Sequence, residues 1–157
     1  MVFQAGYDQG EVAEIIADKR GLEGPMLPIL HDIQERFGHV PEEAVRQIAA
    51  ALNLTRAEVH GVVTFYHDFR KKQAGRHVLK VCRAEACQAA GSDAVAGALE
   101  SALGIKFGET TADGQVTLEA VYCLGLCATA PSAMLDRRII GRLSEAKVPA
   151  LVEEARL

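Results

Sequence analysis

No apolar run in this chain of 157 residues reaches the length of about 18 that a bilayer crossing needs, so no membrane span is expected. The opening Met1-Val-Phe-Gln-Ala-Gly-Tyr-Asp8 lacks the basic region and apolar core of a secretory signal, and a cytoplasmic location is expected. Cys-x-x-Cys is missing, which excludes the usual redox dithiol. Gly-x-Gly-x-x-Gly is missing too, so nothing suggests that this chain itself binds NAD or a flavin. No nucleophile–base pair, phosphate-cradling glycine loop or paired-carboxylate pattern stands out. No catalytic residue is therefore assigned. There is no internal repeat and no low-complexity segment. The net charge of −4 argues against nucleic acid as the main partner.

What is present is ordinary except for its cysteines. Apolar residues make up 49%, enough for a real core. The four cysteines are spaced Cys82-x₄-Cys87, then 35 residues, then Cys123-x₃-Cys127. Each pair follows a strand-like apolar run, Val78 to Val81 for the first and Val116 to Tyr122 for the second. Two loops at strand ends can set four sulfurs around one small object. Thiolates suit soft metal centres, and in a cytosolic chain they are more often ligands than disulfides. Zinc knuckles prefer Cys-x₂-Cys, whereas a [2Fe–2S] cluster takes four protein ligands, two on each iron. Spacing thus favours an iron–sulfur cluster over zinc, with disulfides or free thiols third. Gly125 between the last two cysteines is expected to permit a tight turn and a close backbone approach.

Residues from about 8 to 70 read as helices alone. Gln9 to Lys19 places Val12, Ile15 and Ile16 on one face. Pro25 to Phe37 repeats Met26, Ile29, Leu30, Ile33 and Phe37 at helical spacing, with Gly38 as its cap. A third helix is expected to begin at Pro41 and to turn Val45, Ile48 and Leu52 inward. A fourth carries the capping-box signature Thr55-x-x-Glu58, with Val59, Val62, Val63, Tyr66 and Phe69 on its apolar face. Lys71 to Gly75 reads as a linker, so residues 1–72 are expected to form a helical domain and 73–157 a second one. The second reads as strand Arg76 to Val81, a helix with Ser92 as N-cap and Val95, Leu99 and Leu103 buried, and a turn at Asp113-Gly114. Strand Val116 to Tyr122 follows, then a hairpin of Ser132 to Leu135 and Arg138 to Gly141, and a last helix from about Ser144 to Ala155. Pro149 is expected to kink that helix or move its start downstream. The order β-α-β-β-α suggests an α/β sandwich of thioredoxin-like type, and the chain as a whole an α+β protein.

Several features have a plain and a functional reading. For His31, His39, His60, His67 and His77 a surface or packing role outweighs metal ligation. Arg70, Lys71, Lys72, Arg76, Lys80 and Arg83 carry six positive charges with no acid among them, leaving 11 bases against 21 acids elsewhere. A solvated linker and strand edge is slightly favoured over a docking patch for an acidic partner. In Thr64 to Phe69 core packing is the default, and part of the run could cover a partner interface.

Taken together, the cysteine spacing with Cys123-Leu-Gly-Leu-Cys127, Phe37-Gly-His-Val-Pro41, Gly61-Val-Val-Thr-Phe-Tyr66 and Gly108-Glu-Thr-Thr-Ala-Asp-Gly114 resembles the thioredoxin-like [2Fe–2S] ferredoxin family, over nearly the whole chain. That family includes the small iron–sulfur subunit of respiratory NADH dehydrogenase. The resemblance implies a [2Fe–2S] cluster held by Cys82, Cys87, Cys123 and Cys127. Within the family, Val81-Cys-Arg-Ala-Glu-Ala-Cys-Gln-Ala-Ala-Gly-Ser92 looks most like the gamma subunits of cytosolic, NAD-dependent, molybdenum-containing formate dehydrogenases. That likeness implies two partners: a beta flavoprotein subunit with FMN and the NAD site, and an alpha catalytic subunit with the molybdenum cofactor. The equivalent subunits of respiratory NADH:quinone oxidoreductase and of NAD-reducing hydrogenases are the alternatives. A zinc-bound adaptor and a free-standing ferredoxin are readings of other classes. Near the cluster, Ala84, Ala86 and Ala128 are expected to admit loop amides, the helix from Ser92 to present its positive end, and Arg83 to add positive charge.

Overall fold

The computed structural model describes residues 7–157. The chain divides after Gln73 into two compact units.

Among its described residues the first unit contains four helices: α1 (Gln9–Lys19), α2 (Met26–Phe37), α3 (Glu42–Leu52) and α4 (Arg56–Phe65). Asp8 caps α1 by accepting from the Glu11 amide at 2.9 Å. Gly38 ends α2 in the left-handed conformation, at φ 78, as the sequence suggested. Pro41 is the residue before the first helical turn of α3, not its first member; its ψ of 147 is extended. The Thr55–Glu58 capping box on α4 is complete in both directions. Val12, Ile16, Ile29, Leu30, Ile33, Phe37, Val45, Ile48, Val59 and Val63 all belong to one buried cluster.

The aromatic stretch departs from the expected stripe. α4 stops at Phe65, which is 73% exposed, and Tyr66 is 44% exposed. Phe69 reaches the core through a turn, with its amide bonded to the Tyr66 carbonyl, and packs against His31. Gln34, buried on α2, fixes this tail. It donates to the Asp68 carbonyl and accepts from the Arg70 amide, both at 2.6 Å. A single amide side chain thereby satisfies two backbone groups that no helix serves.

The second unit holds β1 (His77–Cys82), α5 (Glu85–Ala89), α6 (Ser92–Leu103), β2 (Val116–Val121), β3 (Ala133–Leu135), β4 (Arg138–Ile140) and α7 (Val148–Ala155). The sheet order is β2-β1-β3-β4. β1 and β2 run parallel, from His77 beside Val116 to Cys82 beside Val121. β3 lies antiparallel on the other side of β1 and forms a hairpin with β4. Alternate residues of the strands (Leu79, Val81, Val116, Leu118, Ala133, Leu135) bury one face of the sheet with Val95, Leu99 and Leu103 of α6 and Leu151 and Val152 of α7. This is the thioredoxin-like α/β arrangement expected from the element order, in a chain that is α+β overall.

One detail differs from the reading of the sequence, and two others become definite. Gly91, not Ser92, is the N-cap of α6, and Ser92 is a fully buried first helical residue. Pro149 moves the start of the last helix downstream, the second of its two expected effects, and does not kink it. A 3-10 turn at Glu145–Lys147 comes first, and Pro149 sits in the opening turn of α7, where its missing N–H leaves no bond unmade. His77 opens β1, within one residue of the expected strand start; its Nδ1 lies 2.7 Å from Asp136 Oδ2, and Oδ1 of the same carboxylate accepts from the Val78 amide. No helix among the described residues is long and apolar enough to cross a membrane.

Candidate metal centre

The parallel pairing of β1 and β2 sets their carboxyl ends side by side, and each end leads into one cysteine pair. Cys82 is the last residue of β1, and Cys87 lies on α5 rather than in an open loop. Both are 2% exposed. Cys123 lies just past the end of β2, and Cys127 begins a 3-10 turn at Cys127–Thr129; both are exposed. The segments are tied together by backbone bonds: the Arg83 amide to the Val121 carbonyl at 2.8 Å, and the Cys82 amide to the Ser132 carbonyl at 2.9 Å.

All four thiols are free. The Cys123 and Cys127 sulfurs are 3.9 Å apart. The Cys87 side chain and the amides of Leu124 and Cys123 all act on the Cys82 sulfur. The two pairs therefore meet. Among the described residues no three His, Cys, Asp or Glu side chains form a group placed to hold one metal ion. The sulfurs are arranged instead as a buried pair beside an exposed pair. Two pairs of thiols are the donor set that two irons require, so these residues fit a [2Fe–2S] cluster.

The surroundings of Cys82 ease the loss of its thiol proton. Burial pushes that thiol up, but hydrogen bonds from the Ala84 amide, the Cys87 side chain and the Leu124 and Cys123 amides outweigh it, and its pKa is lowered. Cys127 is pushed up, first by its hydrogen bond to Cys123 and then by the charge of that sulfur. The turn between the exposed thiols is strained. Cys123 has φ 114, a conformation that costs a non-glycine residue about 1–3 kcal/mol. Gly125 has φ 74 and donates its amide to the Cys123 sulfur at 3.3 Å. No protein atom lies within 4 Å of where its Cβ would stand, so the turn itself, not crowding by the protein, calls for glycine.

The surroundings hold partners that the sequence did not single out: Asp93, Phe107, Glu119 and Ser132. Arg83 is not a lone positive charge: it pairs with Asp93 on the first turn of α6 at 2.9 Å and lies over the Phe107 ring at 5.3 Å. Lys80 lies 3.8 Å from Glu119 across the β1–β2 pair. Part of the basic run is thereby neutralised within the fold. Ser132, 1% exposed, sets its Oγ 3.5 Å from the Cys87 sulfur. The only sequence sign of it was a polar residue inside the apolar run from Ala130 to Leu135. His77 stands at the opposite end of β1 from Cys82, roughly 16 Å away at the rise of an extended strand, so it is no ligand candidate.

Four free thiols at the carboxyl ends of two parallel strands define a class, that of proteins holding a thiolate-ligated inorganic centre on an α/β frame. The model of the thioredoxin-like [2Fe-2S] ferredoxin family matches residues 12–156, and the chain belongs to that family. Its cofactor is a [2Fe–2S] cluster. A subunit of the NADH-quinone oxidoreductase of Pseudomonas aeruginosa is 38% identical over 121 residues, covering 77% of this chain and 73% of that protein. The HndA subunit of the NADP-reducing hydrogenase of Solidesulfovibrio fructosivorans is 32% identical over 144 residues, covering 92% and 84%. Among solved structures, an NAD+-reducing [NiFe]-hydrogenase in the air-oxidized state superposes with a TM-score of 0.70 at 27% identity, over 83% of this chain. The match spans only 22% of that longer chain.

Proposed function

We propose that this protein is the electron-transfer subunit of a multi-subunit, NAD(P)-linked oxidoreductase, with Cys82, Cys87, Cys123 and Cys127 as the ligands of its [2Fe–2S] cluster. The observation that carries the reading is the extent of likeness. Relatives named as subunits of NADH- and NADP-linked complexes match across both units, up to 92% of the chain, not across the cysteine unit alone. A free carrier would need only the α/β half. The finer reading is the gamma subunit of a cytoplasmic, NAD-dependent formate dehydrogenase, beside a beta flavoprotein subunit with FMN and an alpha subunit with molybdenum. It is supported by the run from Val81 to Ser92. The respiratory and hydrogenase complexes are the alternatives, favoured by the names of the relatives.

The bound cluster supplies one-electron redox chemistry. The chain's own residues hold the sulfurs and bias their charge. Amides of Ala84, Leu124 and Cys123 point at the Cys82 sulfur, and that of Gly125 at Cys123. Donors to ligand sulfurs stabilise the more negative, reduced state and raise the potential. Burial of Cys82 and Cys87 keeps water from one side, while Cys123 and Cys127 remain accessible to a partner.

Iron, zinc and acid-labile sulfide content of the purified chain, with EPR after dithionite reduction, tests the cofactor and its ligands. Two irons, two sulfides and an S = 1/2 signal are expected, with the cluster weakened or lost in Cys87→Ser. One zinc and no sulfide after anaerobic purification would overturn the reading. Affinity capture from the native host then separates the complexes. Retrieval with a flavoprotein and a molybdenum-containing subunit supports formate dehydrogenase, and retrieval with nickel-containing or quinone-reducing subunits replaces it.

A further inference from the structure

We infer that Ser132 is a positioning residue for the redox centre, donating its hydroxyl proton to the Cys87 sulfur and thereby raising the reduction potential. The inference rests on the reading of Cys87 as a cluster ligand. Ser132 immediately precedes β3 and touches both members of the buried cysteine pair. Its carbonyl accepts from the Cys82 amide at 2.9 Å, and its Oγ lies 3.5 Å from the Cys87 sulfur. In the free thiol form either group could donate. A sulfur bound to metal has no proton, so the direction becomes fixed: the hydroxyl donates and the sulfur accepts.

Burial makes this bond count. Ser132 is 1% exposed and Cys87 2%, so no bulk water competes for either atom, and a hydrogen bond in such surroundings is electrostatically stronger than one at the surface. The neighbourhood also explains why a hydroxyl is tolerated there. A buried hydroxyl with no partner is costly, and Cys87 is the side-chain partner this one has. Sulfur gains electron density on reduction, so the bond strengthens in the reduced state and favours it. On the exposed side the Cys123 sulfur takes a backbone amide, that of Gly125, where Cys87 takes a side-chain hydroxyl. Ser132 thus acts on the buried side of the centre alone.

The test is an EPR-monitored redox titration of the full chain with Ser132→Ala and Ser132→Thr. Ser132→Ala is expected to keep two irons and two sulfides, to shift the midpoint potential downward, and to shift the Fe–S(Cys) stretching bands in the resonance Raman spectrum. Ser132→Thr, which keeps the hydroxyl, is expected to restore both. An unchanged midpoint in a fully loaded Ser132→Ala protein overturns the inference. Should Ser132→Ala lose its cluster, the wild-type protein still decides: the Fe–S(Cys) bands must shift on exchange from H₂O to D₂O, and no shift overturns it. Failure of the underlying ligand reading looks different, because Cys87→Ser would then retain both irons.

Discussion

Gly141→Ala should loosen the exposed half of the metal site from a position outside both cysteine motifs. Gly141 follows β4, and a Cβ built on it would lie 2.8 Å from Thr129 Oγ1, 2.9 Å from Thr129 Cβ and 3.2 Å from the Thr129 carbonyl oxygen. Two of these atoms cannot swing away, since one is backbone and the other is the branch point of the side chain. Thr129 closes the 3-10 turn that Cys127 opens, and its Oγ1 donates to the Leu126 carbonyl at 3.2 Å. The same loop is clamped by the Arg142 amide on the Thr129 carbonyl at 2.6 Å and the Leu143 amide on the Pro131 carbonyl at 2.9 Å. Forcing a methyl into so tight a contact costs about 1–3 kcal/mol. The restricted unfolded chain returns about 0.4–1 kcal/mol of this. At mid-range values the net expected loss is about 1–1.5 kcal/mol, or roughly 5–12-fold in the population of the loosened state. Iron release to an excess of chelator should accelerate by a factor in that range, and the thermal transition should fall. In a Thr129→Ala background the penalty should shrink without vanishing, because Oγ1 is gone while Cβ remains. A Gly141→Ala protein as stable as wild type, releasing iron at the wild-type rate, would refute the reasoning.

The Arg83–Asp93 pair gives a test of opposite signs. Arg83→Gln should lower the midpoint potential, Asp93→Asn should raise it, and the double replacement should lie near wild type; redox titration of the three decides, and a rise in Arg83→Gln sinks the idea. Glu58 gives a pH test. Its carboxyl is held below the ordinary 4.5 by the Thr55 amide first and the Thr55 hydroxyl second. A depressed folded-state pKa means that its contribution is complete above about 4.5 and is lost as pH falls through the lower folded value. Thermal melts of Glu58→Gln against wild type should therefore differ at neutral pH and converge in acid; a gap that persists in acid removes the ionised cap as its cause. Leu99, fully buried between α6 and the sheet, should cost about 2–5 kcal/mol as Leu99→Ala, seen as a lower denaturation midpoint of the cysteine unit, and a loss under about 1 kcal/mol would contradict its central place in that core.

The parts legible in the sequence were those set by local chemistry. Thr55 and Glu58 announce a helix start because both reach backbone amides within one turn, and Gly38 announces an end because it takes the left-handed conformation there. The core stripe of α6 was equally readable, since Val95, Leu99 and Leu103 recur at a helical period. Boundaries failed where a neighbour distant in sequence decides. Phe69 belongs to the first core because Gln34, 34 residues before Asp68, pins the chain that follows α4. The same holds at the metal site. Cysteine spacing located the four thiols, but spacing carries no sign of which pair is buried; the assembled sheet reveals it, with Ser132 ahead of β3 meeting both Cys82 and Cys87. Arg83 read as an added positive charge until the α6 turn placed Asp93 against it, and Ser132 read only as the start of a hairpin strand until the sheet set it on Cys87. A ligand set can be read from residue type and order. Ala84 and Gly125 donate from within the cysteine motifs, but the Arg83–Asp93 and Ser132–Cys87 contacts join residues 10 and 45 apart, and on these two the redox predictions depend.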